Sequence, residues 1–243
     1  MHQAPAETLR RSEASTRTGG ALRRAAGVLS LALALFAGCS SPATRIDEDW
    51  LDALTSGQRA AVQTAQDQVD AQVASRDRCK EALGRAAREV RLARASLATA
   101  RAASKEAKLA LALAEEDVEQ HGGQSLTRAH RTVDHAEATE DAAEAKLELA
   151  RVVERGARMD LRYTEAEIDL AKARVKLAQA EGVHELGLPE ARELRLEPFD
   201  ERVRTLSRRV DAAREAADEL RAERERAEAA EQAARERAEA LAR

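Results

Sequence analysis

The sequence predicts an all-α protein. We expect a long antiparallel coiled-coil hairpin with an alanine-rich seam, a third C-terminal helix, and an N-terminal signal peptide. Charged residues make up 35% of the 243 residues and aromatic residues only 2%, a composition typical of long helices and too poor in large side chains for a thick core. Apolar residues recur at heptad spacing, and the pair Gly122-Gly123 interrupts them near the middle of the chain.

Residues 1–38 have the pattern of a signal peptide. Arg23 and Arg24 precede an apolar run over 25–37, which ends in small residues. A helix that crosses a bilayer needs about 20 apolar residues, and this run is shorter. We therefore expect the segment to direct export and then to be removed.

The end of this segment resembles the lipobox of bacterial lipoproteins. The residues that carry the resemblance are Phe36, Ala37, Gly38 and Cys39. It implies that signal peptidase II cleaves before Cys39, whose thiol carries a diacylglyceryl group and whose new amino group is acylated. Ser40 after the cysteine implies sorting to the periplasmic face of the outer membrane of a diderm bacterium.

A plain secretory signal is the alternative interpretation, with cleavage after Ala37 or Gly38 and Cys39 left as an ordinary thiol. In either case we expect residues 39–45 to be a short tether. With lipid at Cys39, two or more acyl chains would make the membrane attachment stable.

The hairpin is predicted over residues 46–182, with its turn near 121–125. A strict heptad runs through the first helix, predicted over 46–120. Its a positions are Val62, Val69, Arg76, Leu83, Val90, Leu97, Ser104, Leu111 and Val118. Its d positions are Ala65, Gln72, Cys79, Ala86, Ala93, Ala100, Ala107 and Ala114. This unbroken repeat indicates one stripe that faces a partner helix.

The repeat resumes after the glycines and is predicted to end at Gly182. Its a positions are Leu126, Val133, Glu140, Leu147, Glu154, Leu161, Ile168 and Val175, and its d positions are Ala129, Ala136, Ala143, Ala150, Ala157, Thr164, Ala171 and Ala178. Because a tight turn makes the two helices antiparallel, folding about the glycines places Leu97 opposite Ala150 and Cys79 opposite Ile168. Most layers then pair a large residue with a small one.

Four a positions of the seam are polar, and one d position carries a thiol. Arg76, Ser104, Glu140 and Glu154 are polar residues at a positions, which either specify the register or are simply solvated at the edge of a thin seam. Cys79 falls at a d position. There it is either a small core residue or, in an oxidising compartment, a source of an intermolecular disulfide.

The third segment comprises an irregular linker at 183–199, with a short helical turn near 190–194, and a helix at 200–243 that is charged and frays at its end. Pro189, Pro198 and Gly187 mark the linker. We expect it to pack against the start of the hairpin, around Trp50; the alternative is that Trp50 touches lipid headgroups. The predicted neighbours in the first case are Leu51, Leu54, Leu186, Leu188 and Phe199.

We predict no enzymatic activity, no metal and no cofactor other than the covalent diacylglyceryl and N-acyl lipid at Cys39. His130 and His135 are five residues apart, so they do not share a helix face, and His121 lies at the turn. The net charge of -4 gives no electrostatic reason to bind nucleic acid. A small-molecule substrate is not expected either, because a thin helical rod offers no concave pocket.

The expected partners are a membrane, through the lipid anchor, and a protein partner or a second copy, through the coiled coil. We expect a structural spacer, scaffold or interaction rod of the cell envelope. The hairpin also resembles the α-hairpin of periplasmic membrane-fusion proteins, which implies an adaptor in a transport or secretion assembly, although no β-rich flanking pattern is present. Resemblance to the small murein lipoprotein is weaker, because Arg243 stands where that family has a terminal lysine.

Overall fold

The computed structural model describes residues 45–116 and 124–243, and these are almost entirely helical. The elements are α1 (Glu48–Asp52), α2 (Ser56–Glu116), α3 (Gln124–Leu186), a 3-10 turn (Pro189–Ala191) and α4 (Glu197–Leu241). No strand occurs in either described range. The predicted all-α class is confirmed, and α2 and α3 are each about 90 Å long.

The helices α2 and α3 lie side by side and run antiparallel. Gln58, near the start of α2, contacts Glu185, near the end of α3. Lys108, near the end of α2, contacts Glu137 near the start of α3. The buried residues of α2 all fall on the predicted a and d positions: Val69, Ala86, Val90, Ala93, Leu97, Ala100, Ser104 and Ala107. The heptad therefore identified the buried face of α2 correctly.

The predicted alignment of the two helices is wrong by about one helical turn. Cys79 Sγ lies 3.5 Å from Thr164 Oγ1, whereas folding about the glycines placed Cys79 opposite Ile168. At the observed spacing Ala93 comes beside Ala150 and Ala100 beside Ala143, and all four belong to one buried cluster. With alanine at almost every d position, alignments that differ by one turn bury similar layers, so the pattern alone did not choose between them.

The helix α4 packs against α3 on a different face from α2, and it is antiparallel to α3. Three ion pairs mark the register, at equal steps along both helices: Asp141 with Arg237, Arg155 with Glu223, and Asp169 with Arg209. Leu206 of α4 is buried with Leu170 and Ala173 of α3. As a result α3 is the central helix and has apolar contacts on two faces.

Several helix ends differ from the predicted ones. The first helix is interrupted at 53–55, the second continues through Gly182 to Leu186, and the third begins at Glu197 instead of 200. Gly187 ends α3 with a φ of 62°, a left-handed conformation that glycine adopts without strain. The predicted short helical turn in the linker is present as the 3-10 turn.

The break between α1 and α2 has a clear local cause. Thr55 N–H donates to Gln58 Oε1 at 2.9 Å, and Gln58 N–H donates to Thr55 Oγ1 at 3.4 Å. This reciprocal pair is a capping box, which satisfies otherwise unpaired N–H groups at the start of a helix. The motif Thr55-x-x-Gln58 is visible in the sequence and would have located the true start of α2.

Candidate interaction surface

The predicted lipid-attachment residue Cys39, with Phe36, Ala37 and Gly38, lies outside the described residues. The described chain begins at Arg45, three residues before α1. None of the helices in the described ranges is long and apolar enough to cross a membrane. Attachment at Cys39 therefore remains a prediction from the sequence.

An apolar cluster lies where the start of α2, the end of α3 and the start of α4 meet, and we call it the basal cluster. Its buried members are Leu54, Ala180, Val183, Ala191, Leu194 and Phe199. Trp50, Leu51, Leu186 and Leu188 pack around them. The predicted packing of the linker against Trp50 is therefore confirmed.

Gln58 and Gly182 join the two long helices beside the basal cluster. Gln58 Nε2 donates to the backbone oxygen of Gly182 at 3.2 Å and to Glu185 Oε2 at 2.9 Å. A Cβ at position 182 would lie 2.9 Å from Leu54 Cδ2, so the close approach of the helices depends on a glycine here. The side chain that caps α2 thus also fixes its position against α3.

The four polar a positions differ in how they are accommodated. Ser104 is 2% exposed and fits inside the seam. Arg76 pairs with Asp77 and Glu154 with Arg158. In both pairs the charged group lies at the edge of the seam, as expected for long side chains that reach towards water.

Glu140, the fourth of these positions, takes part in an ion-pair group between α2 and α3. Arg101 bonds to both Glu140 and Glu144, and Lys108 bonds to Glu137 at 2.9 Å. The hydrogen bond that Lys108 donates to Glu137 raises the pKa of Lys108, and the one that Arg101 donates to Glu144 raises the pKa of Arg101. Because these groups are exposed, apart from the half-buried Glu140, they contribute more to alignment than to stability.

Tyr163 is the single tyrosine of the chain. Its hydroxyl donates to Glu167 Oε1 at 2.8 Å, one turn along α3. This hydrogen bond is the main cause, and partial burial the second, of a pKa of Tyr163 that is raised above its ordinary value. The phenol is therefore held in its neutral form.

A second stripe, which carries three leucines, lies on the solvent side of α2, and we call it the outer seam. It consists of Leu92, Ala95, Thr99, Ala102, Glu106, Leu109 and Leu113, all exposed and spaced alternately three and four residues apart. The exposed fractions of Leu92, Leu109 and Leu113 are 63%, 67% and 64%. Single exposed leucines are ordinary, but leucines at heptad spacing on one face mark a helix-packing surface. The predicted heptad of α2 covers only the stripe that faces α3 and does not include this second stripe.

Groups able to do chemistry are sparse in the described ranges. No cluster of three or more histidine, cysteine, aspartate or glutamate side chains able to hold a metal occurs in 45–116 or 124–243. His135 Nδ1 is buried and has no hydrogen-bond partner there. Cys79 is a free, half-buried thiol beside Thr164. Neither His135 nor Cys79 belongs to a metal-binding group of this kind in the described ranges.

No family model, curated protein or solved structure matches this chain.

Proposed function

We propose that the protein is a lipoprotein of the cell envelope, anchored through Cys39, whose helices act as a spacer, scaffold or protein-interaction rod. The main support is that α2, α3 and α4 pack lengthwise, with 61, 63 and 45 residues respectively. Such an arrangement carries surface over a long distance and encloses little volume, which suits a spacer better than an enzyme.

The position of the basal cluster also supports this proposal. It holds α1, which begins nine residues after the candidate lipid-bearing cysteine. From the base, α2 leads away over about 90 Å. A tether near Arg45 would therefore be joined to a packed end of the rod, and the exposed leucines at 92, 109 and 113 would lie far from the membrane.

Replacement of the cysteines one at a time tests the anchor. We expect Cys39→Ser to abolish incorporation of a clickable fatty acid and to move the protein out of the membrane fraction. The control Cys79→Ser should keep both label and membrane location, because that thiol lies within the rod. If Cys39→Ser still carried label, the proposed attachment site would be wrong.

The adaptor interpretation is a second candidate, and one observation favours it. In the observed alignment of α3 with α4, Leu241 reaches about the level of Glu137. Residues 124–136 of α3 therefore extend about 20 Å beyond the third helix. A bare two-helix end of this kind is suited to insertion into a partner.

Photo-crosslinking in the native envelope separates the two candidates. Crosslinkers placed at 122 and at the exposed position 131 are compared. If the protein is an adaptor, the crosslinker at residue 122 should capture a single channel-forming protein. This capture should be lost when Gly122 and Gly123 are deleted. A spacer predicts no such capture and no effect of the deletion on membrane location.

A further inference from the structure

We propose that the outer seam of α2 is a self-association surface, on which a second copy of this chain docks its own outer seam in the antiparallel direction. This inference does not need the lipid anchor, because it rests only on residues 85–116.

The apolar part of this surface is bounded by charge of opposite sign at its two ends. The next positions of the stripe at the same spacing are Arg88 and Arg85 on the side before Leu92, and Glu116 on the side after Leu113. All three charged residues are exposed. Within the described residues Arg88 and Glu116 form no ion pair with another side chain. Because one end of the surface is basic and the other is acidic, two copies that run in opposite directions bring opposite charges together.

The sequence of the stripe is self-complementary about Ala102. A two-fold axis there places Arg88 level with Glu116 of the second copy, and Leu92 one residue from the level of its Leu113. Ala95 then meets Leu109, a small residue against a large one. Such an isologous contact uses each pairing twice. A surface shaped for an unrelated protein would have no need of this symmetry.

The parallel alternative is opposed by charge. In a parallel, in-register pair, Arg88, Glu106 and Glu116 would each face their own copy, which places like charges together at three positions of the seam. In the antiparallel pair Glu106 lies one residue from the level of Thr99 of the second copy, a small residue that leaves space for the carboxylate to reach water. The antiparallel direction is therefore the one that the charges favour.

The size of the contact sets the expected affinity. From 88 to 116 the helix is about 42 Å long, and one helix pair of this length buries less than the roughly 1,200 Å² of a standard interface. We therefore expect a concentration-dependent dimer with a dissociation constant in the micromolar range.

The first test is sedimentation equilibrium of the full-length chain with Cys39→Ser and Cys79→Ser, in density-matched detergent. Leu109→Asp should weaken the dimer at least 100-fold, since it places two carboxylates in the seam. Leu241→Asp, an equally polar change at an exposed leucine of α4, should leave it unchanged. A chain that stays monomeric at several hundred micromolar, or a dimer insensitive to Leu109→Asp, would overturn the proposal.

A charge reversal tests the direction. Arg88→Glu should weaken the dimer about tenfold, and Arg88→Glu combined with Glu116→Arg should restore it to within threefold. Arg78→Glu, on the same helix but beyond the seam, is the matched control. Failure of the double variant to restore association would contradict the antiparallel pairing.

Spin labels give an independent measure in the same cysteine-free chain. Labels at 102 should lie about 10 Å apart between copies, whereas labels at 116 should lie about 40 Å apart. Short distances at both positions would mean a parallel pair, and the proposed direction would then be wrong. Because Cys39 is absent from this chain, a failure here leaves the proposed anchor unaffected.

Discussion

The packing of Leu54 and Gln58 against α3 depends on the absence of a single methyl group. A Cβ at Gly182 would lie 2.9 Å from Leu54 Cδ2 and 3.5 Å from Gln58 Cβ, and Leu54 is buried, so it has little freedom to move. The glycine weakens α3 locally, but it allows the basal cluster and the Gln58 hydrogen bonds to form together.

Gly182→Ala is therefore expected to lower the free energy of unfolding by about 1 kcal/mol, because overpacking outweighs the gain in helix propensity. The control is Gly156→Ala in the same helix, where a Cβ would meet nothing within 4 Å. That variant should raise stability by roughly 0.5–1 kcal/mol. Thermal melts followed by circular dichroism measure both, and equal gains would show that position 182 is not tightly packed.

The hydrogen bond between Tyr163 and Glu167 predicts a pH effect. The folded-state pKa of the phenol is raised by this bond, so its contribution to stability is complete below the ordinary tyrosine pKa and is lost as the pH rises through the folded value. Glu167→Gln should return the pKa towards its ordinary value. Absorbance at 295 nm follows the single tyrosine, with Glu165→Gln as the control that should leave the titration unchanged.

At the scale of the elements, the basal cluster joins α1, the linker and α4 to the long pair. Phe199 is 8% exposed and belongs to this cluster with Leu54, Val183 and Leu194. Removing its ring would leave a cavity among residues from four segments of the chain. The short helix α1, of five residues, has too few internal hydrogen bonds to persist without this packing.

Phe199→Ala is accordingly expected to destabilise the fold by about 3–5 kcal/mol. Leu241→Ala, at an exposed position, should change stability by less than about 0.5 kcal/mol. Urea unfolding followed by the fluorescence of Trp50, the single tryptophan, is the measurement. If the two variants unfolded at the same urea concentration, the basal cluster would not hold the segments together.

The buried face of α2 and the existence of three long helices were predicted from the sequence, because heptad spacing directly encodes which face is buried. The interhelix alignment was not. It is determined by particular contacts, such as Cys79 with Thr164, whereas the repeated alanines leave several alignments nearly equivalent. The break at Thr55 was not predicted, although the residues of its capping box, Thr55 and Gln58, are visible in the sequence.

The second packing face of α3 was also missed, although the sequence carries the signal. Seven residues on this face recur at heptad spacing and are all apolar: Ala138, Ala145, Val152, Met159, Ala166, Ala173 and Ala180. Five of the seven are buried. A helix with two apolar stripes packs against two neighbours. The predicted a and d positions of α3 include only the stripe that faces α2, and not the stripe that faces α4.

At the scale of the whole molecule, the three helices form a structure whose length can be altered without changing its cross-section. Residues 90–96 of α2 lie level with 147–153 of α3, which lie level with 225–231 of α4. Each segment is one heptad, so deleting all three keeps every remaining residue on its original face.

We expect the triple deletion to fold cooperatively and to be about 10 Å shorter. Spin labels at 63 and 105, both exposed on α2, should approach by that amount in the cysteine-free chain. Deletion of 90–96 alone should lower the melting temperature, because the ends of α2 and α3 would no longer match. A triple deletion that lost helicity would argue against lengthwise packing of the three helices.

The antiparallel course of α4 also determines how the molecule would resist tension. Its start at Glu197 lies in the basal cluster and its end at Leu241 lies towards the opposite end. A pull between Arg45 and Arg243 would make α2 and α4 slide in opposite directions along α3. In such shear, all contacts between α2 and α3 and between α3 and α4 bear the force at the same time, whereas peeling would break them one after another. The rod should therefore resist force best along its own axis.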